Sequence, residues 1–214
     1  MYKAVIFDLD GLLVDTEIIS YKIYQDILKE YNAGFSLEYY TENYSGKLET
    51  YNLNDMIKRY NLPFSYEEGC KMINEKEIEY FNLGVDLKKG AKELLQFLKE
   101  NNVKIGLATS SAEERSKGVL RQNGVLDYFD EFVFSHEVEN GKPHPDIFIK
   151  CLEKLQVNNN EALILEDSEA GVNAAYNAKI DVINVPDLKD ITLDAKSKVK
   201  CQCKSLDEVI AYLQ

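Results

Sequence analysis

Residues 7–16 read Phe-Asp-Leu-Asp-Gly-Leu-Leu-Val-Asp-Thr and follow an apolar run, 4–7, that is typical of a short buried strand. Asp8 and Asp10 lie two positions apart, so on extended backbone both carboxylates point to one face, just past the strand end. Two carboxylates about 4 Å apart repel by roughly 4 kcal/mol at an effective dielectric of about 20. A cation between them, or a proton on one of them, relieves this repulsion. The pair therefore indicates a metal-assisted reaction in which one aspartate attacks and the other moves a proton, with an ordinary acidic turn as the alternative.

The composition limits the class of protein. The chain has 214 residues, 45% of them hydrophobic, which suits one large domain or a domain with a substantial insert. Its formal net charge of −12 disfavours binding to nucleic acid and to anionic membranes, so a site for an anionic substrate must be locally positive. No apolar run approaches the roughly 18 residues that span a bilayer, the first residues show no secretion signal, and the four cysteines lack zinc-ligand spacing. We therefore expect a cytoplasmic protein with free thiols.

The order of elements predicts an α/β fold. Short apolar runs predict strands at about 4–8, 104–109, 132–134, 163–166 and 181–185, with a weaker one near 198–201. Helical patterns alternate with them at 89–101, 111–123, 145–155, 168–178 and 206–213. This alternation predicts a doubly wound, Rossmann-like parallel sheet, whose site lies beyond the carboxyl ends of the strands.

A long helical insert separates the first two strands. Residues 17–82 contain no convincing strand and predict helices at about 17–31, 36–44, 50–60 and 66–82. The predicted domains are accordingly a catalytic core, 1–14 and 86–214, and a helical domain, 15–85, that could close over the site as a lid. Ten of the fourteen tyrosines lie in the insert, where packing of a small bundle is a simpler explanation than a stacking platform for substrate.

Two further segments with candidate site residues lie at or after the ends of predicted strands. Thr109 ends the second strand, and the small residues after it offer hydroxyl and N–H groups to an anion, with helix capping by Ser110 or Ser111 as the alternative. Lys142 lies in the proline-bounded loop Gly-Lys-Pro-His-Pro, where it can neutralise both a carboxylate and a phosphoryl group.

The fourth strand ends in Glu166 and Asp167. These two acids add negative charge to a rim that already holds Asp8 and Asp10, which is hard to explain without a cation. Mg²⁺ fits best, because the ligands are all oxygen and phosphate is the natural co-ligand.

In these segments the whole chain resembles the haloacid dehalogenase (HAD) superfamily with a helical cap, and within it the β-phosphoglucomutase-like phosphatases. The diagnostic stretches are residues 7–16, residues 141–148 (Gly-Lys-Pro-His-Pro-Asp-Ile-Phe) and residues 165–171 (Leu-Glu-Asp-Ser-Glu-Ala-Gly), together with Thr109. The resemblance implies a phosphatase with a Rossmann-like core and an inserted cap that selects the substrate.

The resemblance also implies roles for individual residues. Asp8 would attack phosphorus and become an aspartyl-phosphate, and Asp10 would protonate the leaving oxygen and then activate water. Mg²⁺ would be held by the Asp8 carboxylate, the Asp10 carbonyl and Asp167, with Glu166 in support. The phosphoryl group would be held by the following four residues, the last two through backbone N–H groups: Thr109, Lys142, Leu9 and Ser110.

The chain departs from β-phosphoglucomutases in its helical insert. Those enzymes carry a cap histidine and a cap arginine, and the matching positions here hold Ser20 and Glu49. A lysine of the cap is retained as Lys76. The substrate is expected to be chosen by insert residues, namely Ser20, Gly46, Lys47 and Lys76.

We therefore predict a Mg²⁺-dependent phosphatase, expected to be a monomer, that hydrolyses a small phosphorylated metabolite, with a sugar phosphate as the leading candidate. The alternative is a phosphosugar mutase of the β-phosphoglucomutase type. Two other classes fit less well. A phospho-acceptor module similar to response-regulator receivers needs no helical insert, and a binding protein that has lost catalysis would not need the complete set of site residues.

Overall fold

The computed structural model describes residues 2–214, which form two compact units. The core unit contains the chain up to Asp15 together with Asp86–Gln214, and the helical unit contains Thr16–Val85. Asp15 thus groups with the core, one residue past the division predicted after residue 14. Within the described residues, no helix is both long and apolar enough to cross a membrane.

The core unit is built on a parallel sheet. Its six strands are β1 (Ala4–Phe7), β2 (Lys104–Thr109), β3 (Glu131–Phe134), β4 (Ala162–Glu166), β5 (Asp181–Asn184) and β6 (Cys201–Gln202). Every neighbouring pair is parallel, in the order β3-β2-β1-β4-β5-β6. The chain reverses its winding direction between β1 and β4, and a doubly wound sheet binds its ligands beyond the strand ends at such a point. The predicted α/β class is confirmed.

The α-helices of the described residues divide between the two units. Those of the helical unit are α1 (Thr16–Glu30), α2 (Leu37–Asn43), α3 (Glu49–Arg59) and α4 (Tyr66–Leu83). Those of the core unit are α5 (Ala91–Glu100), α6 (Glu113–Gln122), α7 (Asp146–Leu155), α8 (Glu169–Asn177), α9 (Leu193–Lys196) and α10 (Leu206–Leu213).

The central strand is buried on both faces, which is why its sequence is continuously apolar. Ala4 and Ile6 pack in one cluster with Phe148 and Cys151 of α7. Phe7 points to the other face and meets Phe129 edge to face, with ring centroids 6.2 Å apart. Burial on both faces fixes β1 in position, so the residues directly after it start from a rigid base.

The helical unit has an aromatic interior. Phe35 lies within 6.5 Å, centroid to centroid, of six tyrosine rings: Tyr21, Tyr24, Tyr39, Tyr40, Tyr44 and Tyr60. Tyr40 and Tyr44 are fully buried, and their hydroxyl groups donate to Glu17 and Asp55. The prediction that these tyrosines pack a small bundle is confirmed.

Several boundaries differ from the prediction. The last strand is only Cys201–Gln202, later than the expected 198–201, and α6 begins at Glu113, two residues after the expected start at 111. The helix α9 and three short 3₁₀ segments, Leu126–Tyr128, Ser135–Glu137 and Asn159–Glu161, were not predicted. Segments of three or four residues contain too few positions to show a hydrophobic period. The later start of α6 is explained below by the contacts of Ser111.

Candidate active site

The site is assembled where three neighbouring strands end. Phe7 of β1 pairs in register with Leu107 of β2 and with Leu165 of β4. Asp8, Thr109 and Glu166 therefore emerge side by side at the carboxyl edge of the sheet, at the point where the winding reverses. This edge is where the sequence predicts the site.

Lys142 occupies the centre of this edge. Its Nζ donates to Asp8 Oδ1 at 2.5 Å, to Glu166 Oε1 at 2.6 Å and to the carbonyl oxygen of Ala108 at 3.2 Å. The side chain is only 7% exposed and approaches from a loop with a cis Lys142–Pro143 peptide bond. Burial lowers the pKa of Lys142, but the charges of Asp8 and Glu166 outweigh burial and raise it above its ordinary value. Lys142 is therefore a fixed positive charge next to Asp8.

Glu166 is the second carboxylate that contacts Lys142. Its carboxylate is fully buried, and Oε2 accepts hydrogen bonds from the backbone N–H and the hydroxyl of Ser168. A Cβ atom on Gly171 would lie 1.8 Å from this carboxyl group, so only glycine leaves room for it. The glycine of the sequence 165–171 is thus required by the packing of Glu166.

A group of three acids could hold a metal ion. Asp8, Glu166 and Asp167 each offer a carboxylate oxygen, and these atoms all lie within 4.8 Å of one another. Burial raises the pKa of Asp8 against the opposing charge of Lys142, and burial together with Glu166 and Asp8 raises that of Asp167. The three acids, of which Asp8 and Glu166 are buried and Asp167 is partly exposed, share a single lysine, so their negative charge is only partly neutralised. An all-oxygen donor set with excess negative charge fits a hard divalent cation such as Mg²⁺.

Asp167 lies against the glycine turn after β1. A Cβ on Gly11 would be 2.5 Å from Asp167 Oδ2 and 3.1 Å from Asp187 Oδ2, and Gly11 has a φ of +78°. Glycine is therefore needed twice over, for its left-handed backbone and for the close approach of two carboxylates. Asp187 is held by Lys88, whose Nζ lies 2.5 Å from its Oδ1.

Asn184 fixes the backbone of the two strand-end acids. Its buried Nδ2 donates to the carbonyl oxygens of Glu166 at 2.9 Å and Asp167 at 3.0 Å. Its Oδ1 accepts from Gln202 Nε2 at 2.7 Å. The side chain of Asn184 thereby ties the end of β4 to the short edge strand β6.

Asp10 has a different environment from Asp8. Ser111 Oγ donates to Asp10 Oδ2 at 2.5 Å, and Arg115 Nη1 lies 2.9 Å from Oδ1 and 3.1 Å from Oδ2. Arg115 also donates to Ser111 Oγ at 2.8 Å. The alternative that Ser110 or Ser111 caps α6 is wrong, because the N-cap residue is Ala112 and no side chain caps the helix. Ser111 is directed to Asp10 instead, and the helix begins after it.

Three other residues of the core unit that were predicted to bind the phosphoryl group lie near the same strand ends. Thr109 is buried, and its Oγ1 accepts from the backbone N–H of Ser111 at 3.1 Å, so its hydroxyl hydrogen can be donated to an anion. Ser110 lies between Thr109 and Ser111 in the chain and is exposed. Leu9 is fully buried, and its carbonyl oxygen accepts from the N–H groups of Leu13 and Val14 to form the turn after β1.

The remaining predicted residues belong to the helical unit. Ser20 donates to the carbonyl oxygen of Thr16 at 3.3 Å. Gly46 has a φ of +73° and is exposed, as is Lys47, whose ammonium lies 4.4 Å from the ring centre of Tyr51. Lys76 pairs with Glu30 at 3.2 Å. Within this unit, Lys47 presents its charge in an exposed loop, whereas Lys76 is engaged by a carboxylate.

Sequence reasoning missed Arg115 and Asn184. Arg115 is the third residue of a helix rich in charged residues, where arginine usually faces solvent, and Asn184 ends a strand as one of many polar residues of the chain. Position was a signal, because Asn184 ends β5 and Arg115 follows β2, and the carboxyl ends of these strands lie at the edge that holds the site.

Comparison with known proteins agrees with the geometry. Residues 5–185 match the family model of haloacid dehalogenase-like hydrolases. A phosphorylated carbohydrates phosphatase of Thermotoga maritima is 33% identical over 181 residues, covering 85% of this chain and 83% of the relative. A β-phosphoglucomutase of Bacillus subtilis is 30% identical over 190 residues, covering 86% of this chain and 83% of the relative.

The fold agrees as well. A crystal structure of β-phosphoglucomutase from Clostridium difficile superposes with a TM-score of 0.73 at 28% identity, covering 100% of this chain and 96% of the other. The parallel sheet and the acids at its carboxyl edge fit this family of hydrolases, whose named relatives include phosphatases. The chain belongs to the haloacid dehalogenase-like hydrolase family. The predicted family and enzyme class are confirmed.

Proposed function

We propose that this protein is a Mg²⁺-dependent phosphatase that hydrolyses a small phosphorylated carbohydrate through an aspartyl-phosphate on Asp8. The observation that carries the proposal is the contact between Lys142 and Asp8 among the three clustered acids. A buried carboxylate that lies beside a fixed ammonium group, and that can share a cation, is suited to approach a phosphoryl group without strong repulsion. The substrate class is supported by the name of the Thermotoga maritima relative.

In the first step, an oxygen of Asp8 attacks phosphorus, and the bond from phosphorus to the ester oxygen breaks. The proton on Asp10 passes to that oxygen as the alcohol leaves. Lys142 and the Thr109 hydroxyl hold the phosphoryl oxygens, assisted by the backbone N–H groups of Leu9 and Ser110.

In the second step, a water molecule attacks phosphorus of the aspartyl-phosphate and gives its proton to the Asp10 carboxylate. The bond between phosphorus and the Asp8 oxygen breaks, which releases inorganic phosphate and restores both aspartates. Mg²⁺ would be held by Asp8, the Asp10 carbonyl and Asp167, with Glu166 in support, and would neutralise charge on the phosphoryl oxygens. Phosphoryl transfer depends mainly on such positioning and charge neutralisation.

The helical unit is proposed to select the substrate. Lys47 is its best candidate contact, because the charge is exposed in a loop that a glycine of positive φ makes possible. Ser20, Gly46 and Lys76 complete the proposed set, although Lys76 must first leave Glu30. We propose a cytoplasmic monomer, because one chain carries both units.

The test is phosphate release from a panel of sugar phosphates, with and without Mg²⁺. Phosphate release that requires Mg²⁺ and disappears in Asp8→Asn supports the proposal. Release from none of the panel, or undiminished release by Asp8→Asn, contradicts it. Because the fold of Asp8→Asn must be intact for this comparison, its thermal unfolding is measured alongside.

A phosphosugar mutase is the second candidate, favoured by the β-phosphoglucomutase of Bacillus subtilis among the relatives. In a mutase the aspartyl-phosphate returns its phosphoryl group to a sugar instead of to water. The test is β-glucose 1-phosphate with a trace of glucose 1,6-bisphosphate. Formation of glucose 6-phosphate faster than phosphate would favour the mutase, whereas Ser20 and Glu49 in place of the cap histidine and arginine lead us to expect phosphate.

A further inference from the structure

The geometry points to Arg115 as a positioning residue that acts through Asp10, together with Ser111. This inference rests on the proposed function, in which Asp10 moves the proton in both steps. Arg115 Nη1 lies 2.9 Å from one carboxylate oxygen of Asp10 and 3.1 Å from the other, so it contacts both. Ser111 Oγ donates to Oδ2 at 2.5 Å and accepts from Arg115 at 2.8 Å. The three side chains thus form a closed triangle of polar contacts.

The triangle gives the Asp10 side chain its orientation. Asp10 follows the end of β1, and its side chain is 30% exposed, so burial alone does not select its rotamer. Asp8 is held separately, by Lys142. Each of the two aspartates therefore has its own cation, and the contacts of Asp10 come from Ser111, just before α6, and from Arg115 in its first turn.

The start of α6 serves Asp10 at the expense of the helix. Arg115 lies in the first turn, where the helix dipole disfavours a positive charge and favours acids such as Glu113 and Glu114. Serine is a preferred residue at the N-cap position, where its side chain accepts a hydrogen bond from the helix backbone. Here the N-cap residue is Ala112, Ser111 precedes it, and the helix has no side-chain cap. Helix stability explains neither arrangement, whereas contact with Asp10 explains both.

Arg115 orients the carboxyl group of Asp10. A proton donor must lie within hydrogen-bond reach of the leaving oxygen, and small displacements of such a group cost rate. The first step of the proposed reaction needs this proton only when the leaving group is a poor one. A sugar alkoxide is a poor leaving group, whereas acetate, released from acetyl phosphate, leaves without protonation.

The experiment follows the first turnover by rapid quench, with the best sugar phosphate of the panel and with acetyl phosphate. Arg115→Gln is expected to slow formation of the aspartyl-phosphate from the sugar phosphate by tenfold or more, and from acetyl phosphate by less than threefold. Arg115→Lys is expected to recover part of the loss. Arg121→Gln, at the exposed last turn of the same helix, is the control and should match the wild type.

A double mutant separates this role from a structural one. In the Asp10→Asn background, Arg115→Gln should cause no further loss, because the residue through which Arg115 acts is already removed. Equal slowing with both substrates, no slowing with either, or losses that multiply in the double mutant would overturn the inference while the phosphatase function stands. If the wild type forms no aspartyl-phosphate from either substrate, the proposed function fails, and the inference fails with it.

Discussion

Lys142 donates a 2.5 Å hydrogen bond to Asp8, and both side chains are almost completely buried, with 7% and 11% of their surface exposed. The same ammonium group reaches Glu166 at 2.6 Å. A buried charge that loses its partner is strongly destabilising, because water cannot replace the lost contact. This contact therefore links the stability of the core unit to its chemistry.

Lys142→Met should lower both stability and activity. It leaves two buried carboxylates without a cation, so we expect the free energy of unfolding to fall by about 3–5 kcal/mol and phosphate release to be lost. Added Mg²⁺ should restore part of the melting temperature, because an ion that binds the folded state stabilises it. Lys154→Met removes a lysine that is 32% exposed and is paired with Glu137, and it is the control. Equal losses in the two variants, measured by thermal and denaturant unfolding, would contradict this account.

Gly171→Ala should be far more harmful than an ordinary helical substitution. The added Cβ would lie 1.8 Å from the Glu166 carboxyl group, so we expect a loss of about 3 kcal/mol or more together with weaker Mg²⁺ binding. Gly118→Ala is the matched control on α6, since nothing lies within 4 Å of its Cβ, and it should be neutral or stabilising by about 0.5–1 kcal/mol. Denaturant unfolding of the two variants measures the difference, and similar values would show that Glu166 can move aside.

Asn184→Leu should weaken metal binding. It removes the amide that donates to the carbonyl oxygens of Glu166 and Asp167, and residues that orient metal ligands typically contribute about 10–100-fold in affinity or activity. Titration calorimetry with Mg²⁺ gives the affinity directly. Asn101→Leu, which removes an exposed amide that donates to the carbonyl oxygen of Phe97 four residues earlier, is the control. An unchanged Mg²⁺ affinity in a folded Asn184→Leu would refute the role of this residue.

The four cysteines should separate into two pairs by reactivity. Burial raises the pKa of Cys151 and of Cys203 to about 12, so both remain thiols at pH 8, whereas Cys70 and Cys201 are partly exposed. Only the thiolate reacts with iodoacetamide, so the native protein should be alkylated at Cys70 and Cys201 first. Mass spectrometry of the digested protein locates the labels, and denatured protein should be labelled at all four positions. Early labelling of Cys151 would show that the core around α7 opens readily.

The sequence predicts the framework of this protein because the framework depends on local patterns. Apolar runs ending in Asp8, Thr109 and Glu166 mark strand ends, and parallel strands place their carboxyl ends on one edge of the sheet. The site residues could therefore be grouped before their distances were known. The lysine loop could be added for the same reason, since Lys142 follows β3.

The contacts that hold the site residues are not local and could not be predicted. Arg115 and Asp10 are 105 positions apart, and their contact depends on the residue at which α6 begins. The local sequence is equally compatible with Ser111 as a helix cap and with Arg115 as a solvent-exposed charge, so it does not predict their contacts with Asp10. Asn184 likewise depends on β6, a strand of two residues, Cys201–Gln202, for which the sequence gives only a weak signal near 198–201. In each case tertiary contacts decide between local choices.

The most direct test of the account is to detect the phosphoryl group on Asp8. The enzyme is mixed with its best substrate and Mg²⁺, quenched during turnover, and treated with borohydride, which reduces an acyl phosphate to an alcohol and would convert Asp8 to homoserine. We predict homoserine at position 8 only when substrate is present. With acetyl phosphate, whose leaving group needs no proton, Asp10→Asn should give more homoserine than the wild type, because its aspartyl-phosphate should hydrolyse slowly. Rapid phosphate release with no modification of Asp8, or modification of Asp10 in its place, would contradict the central claim.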